Sequence, residues 1–349
     1  MGCLIVLGIL CLGTVRGVNI MRKAKGVERI VAAKGEGYFP VMIELESGEL
    51  LAVIRGGAPH VGVGGRLDLI RSSDGGRSWS EPKVIVDLPP DSRNPAFGRA
   101  PNGRLVLAFA VTGPYENGRF TDKTGEYTVW LTTSEDNGQS WSKPHRLDIS
   151  PLRYGSPFGK IVSLPDGTML MNIYGWNNRR EYSSYLFRSR DNGVSWDDPS
   201  LIAKGYNETA LLTFPDGRVL ALLRDGLGTH RSVSEDGGYT WSEPEEILGR
   251  GFHPADAILL KSGTVLVTTG HRLEPFGVFA MLSRDGGSSW DVKNGLLLDW
   301  GSENTDCGYP SSAQLDDGTI VTIYYGVRHR DYPDLERYAI CLRYTETIF

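Results

Sequence analysis

Ser72-Ser-Asp-Gly-Gly-Arg-Ser-Trp79 is an octet of the form Ser-x-Asp-x-Gly-x-Ser/Thr-Trp, and the form returns at Ser134–Trp141, Ser189–Trp196, Ser234–Trp241 and Ser283–Trp290. One copy would carry little weight, but five make a repeat, and a repeat decides the fold before any local propensity does. Each octet reads as a hairpin turn. The Asp bonds nearby backbone N–H groups, the Gly accepts a positive φ, and the Trp is an apolar plug that locks the turn onto its sheet. These residues are therefore read as structural.

Working outward, a second repeat lies upstream of each octet, a turn followed by an apolar strand. Its copies are Glu46-Ser-Gly-Glu-Leu-Leu, Pro101-Asn-Gly-Arg-Leu-Val, Pro165-Asp-Gly-Thr-Met-Leu, Pro215-Asp-Gly-Arg-Val-Leu, Lys261-Ser-Gly-Thr-Val-Leu and Asp316-Asp-Gly-Thr-Ile-Val. Before each turn comes another short strand, opened by Pro40, Pro95, Pro157, Pro254 or Pro310, or by Thr209 in the fourth unit. A strand's first residue tolerates the missing donor of proline.

The five octets resemble the Asp boxes, or BNR repeats, of the sialidase (neuraminidase) superfamily, and the resemblance runs over residues 27 to 349. Six turn repeats imply six blades of strand, Gly turn, strand, variable loop, strand, Asp box, strand. The expected fold is all-β: a six-bladed β-propeller with four antiparallel strands per blade, forming one domain over 27–349. The sixth unit stops after Glu336–Tyr344, so its fourth strand is expected from Val27–Ala33, which would also pair the last open edge. Strand direction then puts the Gly turns and Asp boxes on one face and the variable loops, where function concentrates, on the other.

Composition agrees. The chain has 349 residues with 44 Gly and 19 Pro, which suits many tight turns, and a net charge of −5 without a basic tract, which excludes a nucleic-acid surface. The apolar run in residues 1–20 has the length of a signal-peptide core and is too short to span a membrane, so secretion or a periplasmic location is expected. Translation from Met21 would instead leave the protein in the cytoplasm. Beyond that run, Cys307 and Cys341 match neither a zinc spacing nor a disulfide framework and are read as unpaired. No metal or nucleotide motif is visible, and no cofactor is expected.

Residues just before each innermost strand, Phe39, Asn94, Ser156, Glu208, His253 and Tyr309, should crowd the axis on the loop face. Arg55, Ala110, Tyr174, Arg224, Gly270 and Tyr325 return to the same level on the second strands. So many polar groups in one concavity mark a binding or catalytic pocket. Arg93, Arg179, Arg180, Arg272, Arg328 and Arg330 fall on the loop face too, as do five of the six histidines, including His60 and His271. In a net negative chain this points to an anionic ligand, since Arg matches carboxylate or sulfate with a planar fork. Trp176 completes the candidate substrate-binding set.

The resemblance also implies roles. Tyr206-Asn-Glu208 followed by Arg224 is similar to the sialidase pairing of a Glu with an arginine of the carboxylate clamp, and Gly308-Tyr-Pro resembles the site of the tyrosine nucleophile. A phenol is a poor nucleophile at neutral pH, so Glu208 would have to take the Tyr309 proton. Two features depart from the family. Tyr38-Phe39-Pro40 stands where the first clamp arginine belongs, which leaves Arg55 as a substitute and Arg272 as a further member. The loop between Arg55 and Leu67 has no carboxylate for the acid/base, which leaves His60 or Asp91. The expected function is an exo-acting glycoside hydrolase on a terminal acidic or unusual sugar of a glycan. The alternatives are a polysaccharide lyase using His and Tyr on a uronate, and a non-catalytic carbohydrate- or protein-binding propeller.

Overall fold

A computed structural model describes residues 21–177 and 181–349; the apolar run at 1–20 and the two arginines Arg179 and Arg180 lie outside the described residues. The fold is all-β. Strands Tyr38–Glu44, Leu50–Gly56, Arg66–Ser72 and Lys83–Val86 make the first antiparallel sheet. The second contains Ser92–Arg99, Leu105–Val111, Thr128–Ser134 and His145–Arg146, and the third Leu152–Ser163, Met169–Asn177, Tyr182–Ser189 and Asp197–Lys204. Ala210–Thr213, Val219–Arg224, Thr229–Ser234 and Glu245–Leu248 form the fourth; Phe252–Leu259, Val265–His271, Phe276–Ser283 and Leu296–Ser302 form the fifth. In the sixth, Gly308–Gln314, Ile320–His329 and Tyr332–Tyr344 are joined by Glu28–Lys34, which pairs antiparallel with the last of them from Glu28 opposite Arg343 to Lys34 opposite Tyr338. The N-terminal strand thus takes the place expected for it.

Apolar side chains pack between neighbouring sheets. Val53 and Leu67 of the first meet Leu105 and Leu107 of the second, Leu220 and Leu222 of the fourth meet Val265 and Val267 of the fifth, and Leu50 and Ile70 meet Val321 and Ile323 of the sixth. The first strand of each sheet packs beside the first strand of the next, and that of the sixth lies beside that of the first. A cavity among them is lined by Phe39, Asn94, Phe158, Asp256 and Tyr309. Cys307 and Cys341 are buried and unpaired, as expected. No helix among the described residues is long and apolar enough to cross a membrane.

The octets fold as their chemistry requires. Asp74 accepts backbone N–H bonds from Arg77 at 3.0 Å and Ser78 at 2.9 Å, and hydroxyl bonds from Ser72 at 2.8 Å and Ser78 at 2.6 Å. The Ser78 bonds lead in holding its carboxyl down at about 2. In all five octets the fourth and fifth residues both have positive φ, which is why Gly or Asn and then Gly stand there: 70° and 87° at Gly75-Gly76, 55° and 80° at Asn137-Gly138.

The innermost strands carry a different irregularity. Register shifts fall between Tyr38 and Val41, Arg93 and Ala96, Phe252 and Ala255, and Gly308 and Ser311, each across a proline. The residue before that proline has φ 53° at Phe39, 49° at Asn94 and 52° at Tyr309, a region costly for bulky side chains. Proline removes the ladder donor, the strand bulges, and the preceding side chain is re-aimed. Strained backbone of this kind persists only where its surroundings over-determine it, and it clusters at functional sites.

Candidate active site

Tyr309 donates its hydroxyl to Glu208 Oε1 at 2.6 Å, a bond between the sixth and fourth sheets. Arg224 Nη1 closes the triangle, donating to Glu208 Oε2 and to the Tyr309 oxygen at 3.3 Å. Only 8% of Tyr309 and 6% of Glu208 is exposed, so these bonds form away from competing water. Burial and then the Glu208 charge push the phenol well above its ordinary range, against the pull of Arg224 and Arg272. At rest the proton therefore stays on the tyrosine and points at the carboxylate.

Arg272 lies with its guanidinium carbon 5.5 Å over the Tyr309 ring, and its Nε and Nη2 have no partner. Arg224 Nε is likewise buried and unpaired, and Arg93 Nη1 is buried without a hydrogen bond, with Asp91 Oδ2 3.7 Å away. Orphaned guanidinium donors in a buried site are costly unless something accepts from them. His253 sits beside these cations. Burial first, then Arg224 and Arg272, push it down to about 3, so the ring is neutral and adds no charge.

Phe39 stands at the centre of an aromatic cluster, its ring 4.9 Å from Tyr309, 5.0 Å from His60 and 5.5 Å from Tyr325. Arg93 is stacked over its outer side, 5.4 Å away, and donates to Asn94, which itself donates to Ser156 at 2.9 Å and to the Tyr174 oxygen at 3.2 Å. Tyr174 is buried, whereas Trp176 is 46% exposed and packs on Tyr182 at 4.7 Å, offering an aromatic face to solvent. His60 bonds Asp306 at 2.6 Å, and Tyr325 donates to the same Asp306 oxygen at 2.8 Å. Both His60 and Asp306 remain about one-third exposed, at 33% and 31%.

Three expected site residues are placed differently. Arg55 and Asp91 are both fully buried and bond each other at 2.7 and 3.2 Å. Arg55 also donates to the carbonyls of Ala58, Pro59 and Gly62, and Tyr115 donates to Asp91 at 2.8 Å. Neither has capacity left for a ligand: Arg55 is no substitute clamp arginine and Asp91 no proton donor. Together they fasten the 57–65 loop that carries His60. His271 is turned into the fifth sheet, bonded to the Pro275 carbonyl at 2.8 Å and packed on Phe252. Among the other loop-face cations, Arg328 and Arg330 are exposed and face Glu303 and Glu274.

Asp306 was missed in the sequence. It lies three residues before Tyr309 in a connection that carries no repeat signal, and its partner His60 is 246 residues away. The positive φ at Phe39, Asn94 and Tyr309 also had no sequence signal beyond the following proline.

The fold and this triangle define a class: a repeat-built all-β protein holding a phenol, a carboxylate and unpaired arginines at one site. The family pattern described as a BNR repeat-like domain matches residues 48–322, and the chain belongs to the sialidase superfamily that carries these repeats. A sialidase of Bacteroides fragilis is 23% identical over 306 residues, covering 76% of this chain and 54% of that protein; one from Paraclostridium sordellii is 22% identical, covering 78% and 76%. The chain thus spans about half the length of the Bacteroides relative. Among solved structures, a Dyadobacter fermentans protein of unknown function superposes with a TM-score of 0.77 at 23% identity, over 91% of this chain and 98% of that one. Trypanosoma rangeli sialidase gives 0.70 at 15% identity, over 93% and 59%.

Proposed function

We propose that the six sheets close into a six-bladed β-propeller forming one domain over 27–349, and that it is an exo-acting glycoside hydrolase for a terminal acidic sugar. The ring of neighbouring first strands and the pairing of residues 28–34 with the last strand support the closure. What carries the enzymatic reading is the 2.6 Å hydrogen bond from Tyr309 to Glu208 inside the reach of Arg224.

In the first step Glu208 takes the Tyr309 proton as the phenolic oxygen attacks the anomeric carbon. The glycosidic C–O bond breaks, and the leaving oxygen takes a proton from His60. Water then attacks the same carbon, giving a proton to His60, while the tyrosyl oxygen leaves and recovers its proton from Glu208. A tyrosine nucleophile is the known exception to the two-carboxylate scheme, and the Trypanosoma rangeli sialidase is described as a covalent intermediate with 2,3-difluorosialic acid. Arg224 and Arg272 would hold the sugar's anionic group through their unpaired donors, with Arg93 on the far side of Phe39. The site lacks an arginine at position 39, so the anion need not sit as it does in a sialic acid bound by three arginines.

The test is a panel of aryl glycosides of sialic acids, other nonulosonic acids, uronic acids and neutral sugars, run with Tyr309→Phe and Glu208→Gln. Release of the phenol from an acidic member, abolished in both variants, is the expected result. An unsaturated product absorbing in the ultraviolet would replace hydrolysis by elimination. Binding without turnover would make the protein a lectin.

A further inference from the structure

We infer that proton transfer at this site is carried out by a His60–Asp306 couple, with Asp306 the residue that positions and charges the imidazole. This rests on the hydrolase reading above and names a part of the machinery that the reading leaves open.

The two groups come from opposite ends of the chain. His60 stands on the 57–65 loop of the first sheet and Asp306 in the connection that enters the sixth, and they meet at 2.6 Å through Nδ1 and Oδ1. Each partner is held from behind. Tyr325 donates to Asp306 at 2.8 Å, and the Asp306 backbone N–H donates to Asn304 Oδ1 at 2.8 Å. The Arg55 guanidinium gathers the carbonyls of Ala58, Pro59 and Gly62 and so fixes the loop on both sides of His60. With Nδ1 committed to the carboxylate, Nε2 has no hydrogen-bond partner among the described residues. A carboxylate bound to Nδ1–H sets the tautomer and stabilises the imidazolium, which is how a histidine is made a competent acid and base.

The surroundings keep the charges in order. Burial works to raise Asp306, but the His60 bond and charge, the Tyr325 hydroxyl and Arg272 outweigh it and hold the carboxyl below its usual range. The other groups facing His60 are Tyr38, whose ring is 5.7 Å away, and Tyr325 at 6.3 Å, with Phe39 between His60 and Tyr309. Arg55 is spent on Asp91 and the loop carbonyls, and burial pushes Tyr38 up, so it stays neutral. Asp306 is the one anion bonded to the ring. An exposure of about one-third lets a leaving sugar oxygen reach Nε2.

The first step needs a proton on His60 Nε2 and a free oxygen on Glu208. Asp306→Asn removes the carboxylate that orients the ring, so kcat on methyl N-acetylneuraminide should fall about 10-fold with KM within about twofold. His60→Asn should cost about 100-fold or more on methyl N-acetylneuraminide, which needs its leaving oxygen protonated, and less than about 10-fold on the 4-nitrophenyl glycoside, whose phenol leaves as an anion. Long-range 1H–15N spectra of the unliganded protein should show the neutral His60 ring protonated on Nδ1, a tautomer that Asp306→Ala no longer fixes. This last measurement needs no turnover. An Nε2–H tautomer, an unchanged kcat in Asp306→Asn, or equal losses on both glycosides would overturn the couple. If Tyr309→Phe and Glu208→Gln leave turnover intact, the tyrosine-nucleophile reading fails, and if the parent protein hydrolyses no glycoside of the panel the hydrolase reading itself fails, so the failures are thereby separated.

Discussion

The arginine–carboxylate pairs Arg55–Asp91 and Arg224–Glu208 look alike on paper, yet they do opposite things. In Arg55–Asp91 the arginine donors all go to Asp91 and three loop carbonyls, and the carboxylate is closed off by Tyr115. In Arg224–Glu208 the arginine leaves Nε unpaired, and the carboxylate spends one oxygen on the hydroxyl of a strained tyrosine. Saturation is the difference. A buried ion pair whose every hydrogen bond is met fixes a chain segment, whereas one with donors left over is waiting for a partner.

The comparison breaks first at the unsaturated pair. Tyr309→Phe and Glu208→Gln should each reduce kcat/KM by about 1000-fold or more, roughly 4 kcal/mol of transition-state stabilisation, with native-like circular dichroism. If either keeps more than a tenth of the activity, the leftover valences of this pair have no chemical use. Arg55→Ala should act through stability, costing about 3–5 kcal/mol in denaturant unfolding because Asp91 is left buried and unpaired. Replacing both partners, as Arg55→Met with Asp91→Leu, should recover part of that loss. A merely additive double variant would deny that the two act as a unit.

Between these pairs and the surface lie the Asp-box plugs. Trp196 is 7% exposed, so Trp196→Ala should cost about 3 kcal/mol while leaving the kinetic constants of the folded fraction unchanged. The smallest effect belongs to the Asp-box carboxyls. Asp74 is held at about 2, chiefly by the Ser78 hydroxyl, against an ordinary value of 3.8, as are Asp236, where burial pushes up but the Thr240 and Ser234 bonds outweigh it, and Asp285, through the Ser289 hydroxyl. A depressed folded-state pKa stabilises above the unfolded value and loses that contribution as pH falls from about 4 to about 2. These groups are solvent-exposed, so Asp74→Asn should shift Tm by no more than about 2 °C at neutral pH and flatten the acid decline slightly.

The legibility of the sequence follows the same divide. Asp boxes and Gly turns are local devices, complete within eight residues, so spacing alone reveals them and the all-β fold they belong to. The ring at the strand openings was also readable, because a proline and a fixed offset from the turn mark it, and Glu208, Arg224 and Tyr309 do meet there. Arg55, Asp91 and His271 show the limit. Chain position puts a residue at the right level, but whether its side chain turns outward or into a loop is decided by partners far off in sequence. Asp306 is the converse, an inconspicuous loop residue given meaning by His60.

The strand Glu28–Lys34 pairs with Tyr332–Tyr344, about three hundred residues further along the chain. During synthesis that early segment leaves the ribosome with its mate still unwritten, and its hydrogen-bonding edge stays open until translation has passed residue 344. Any product that stops before that point keeps this edge sticky and is marked for capture by chaperones and proteases, and only a chain that reaches its partner strand can fasten its own clasp.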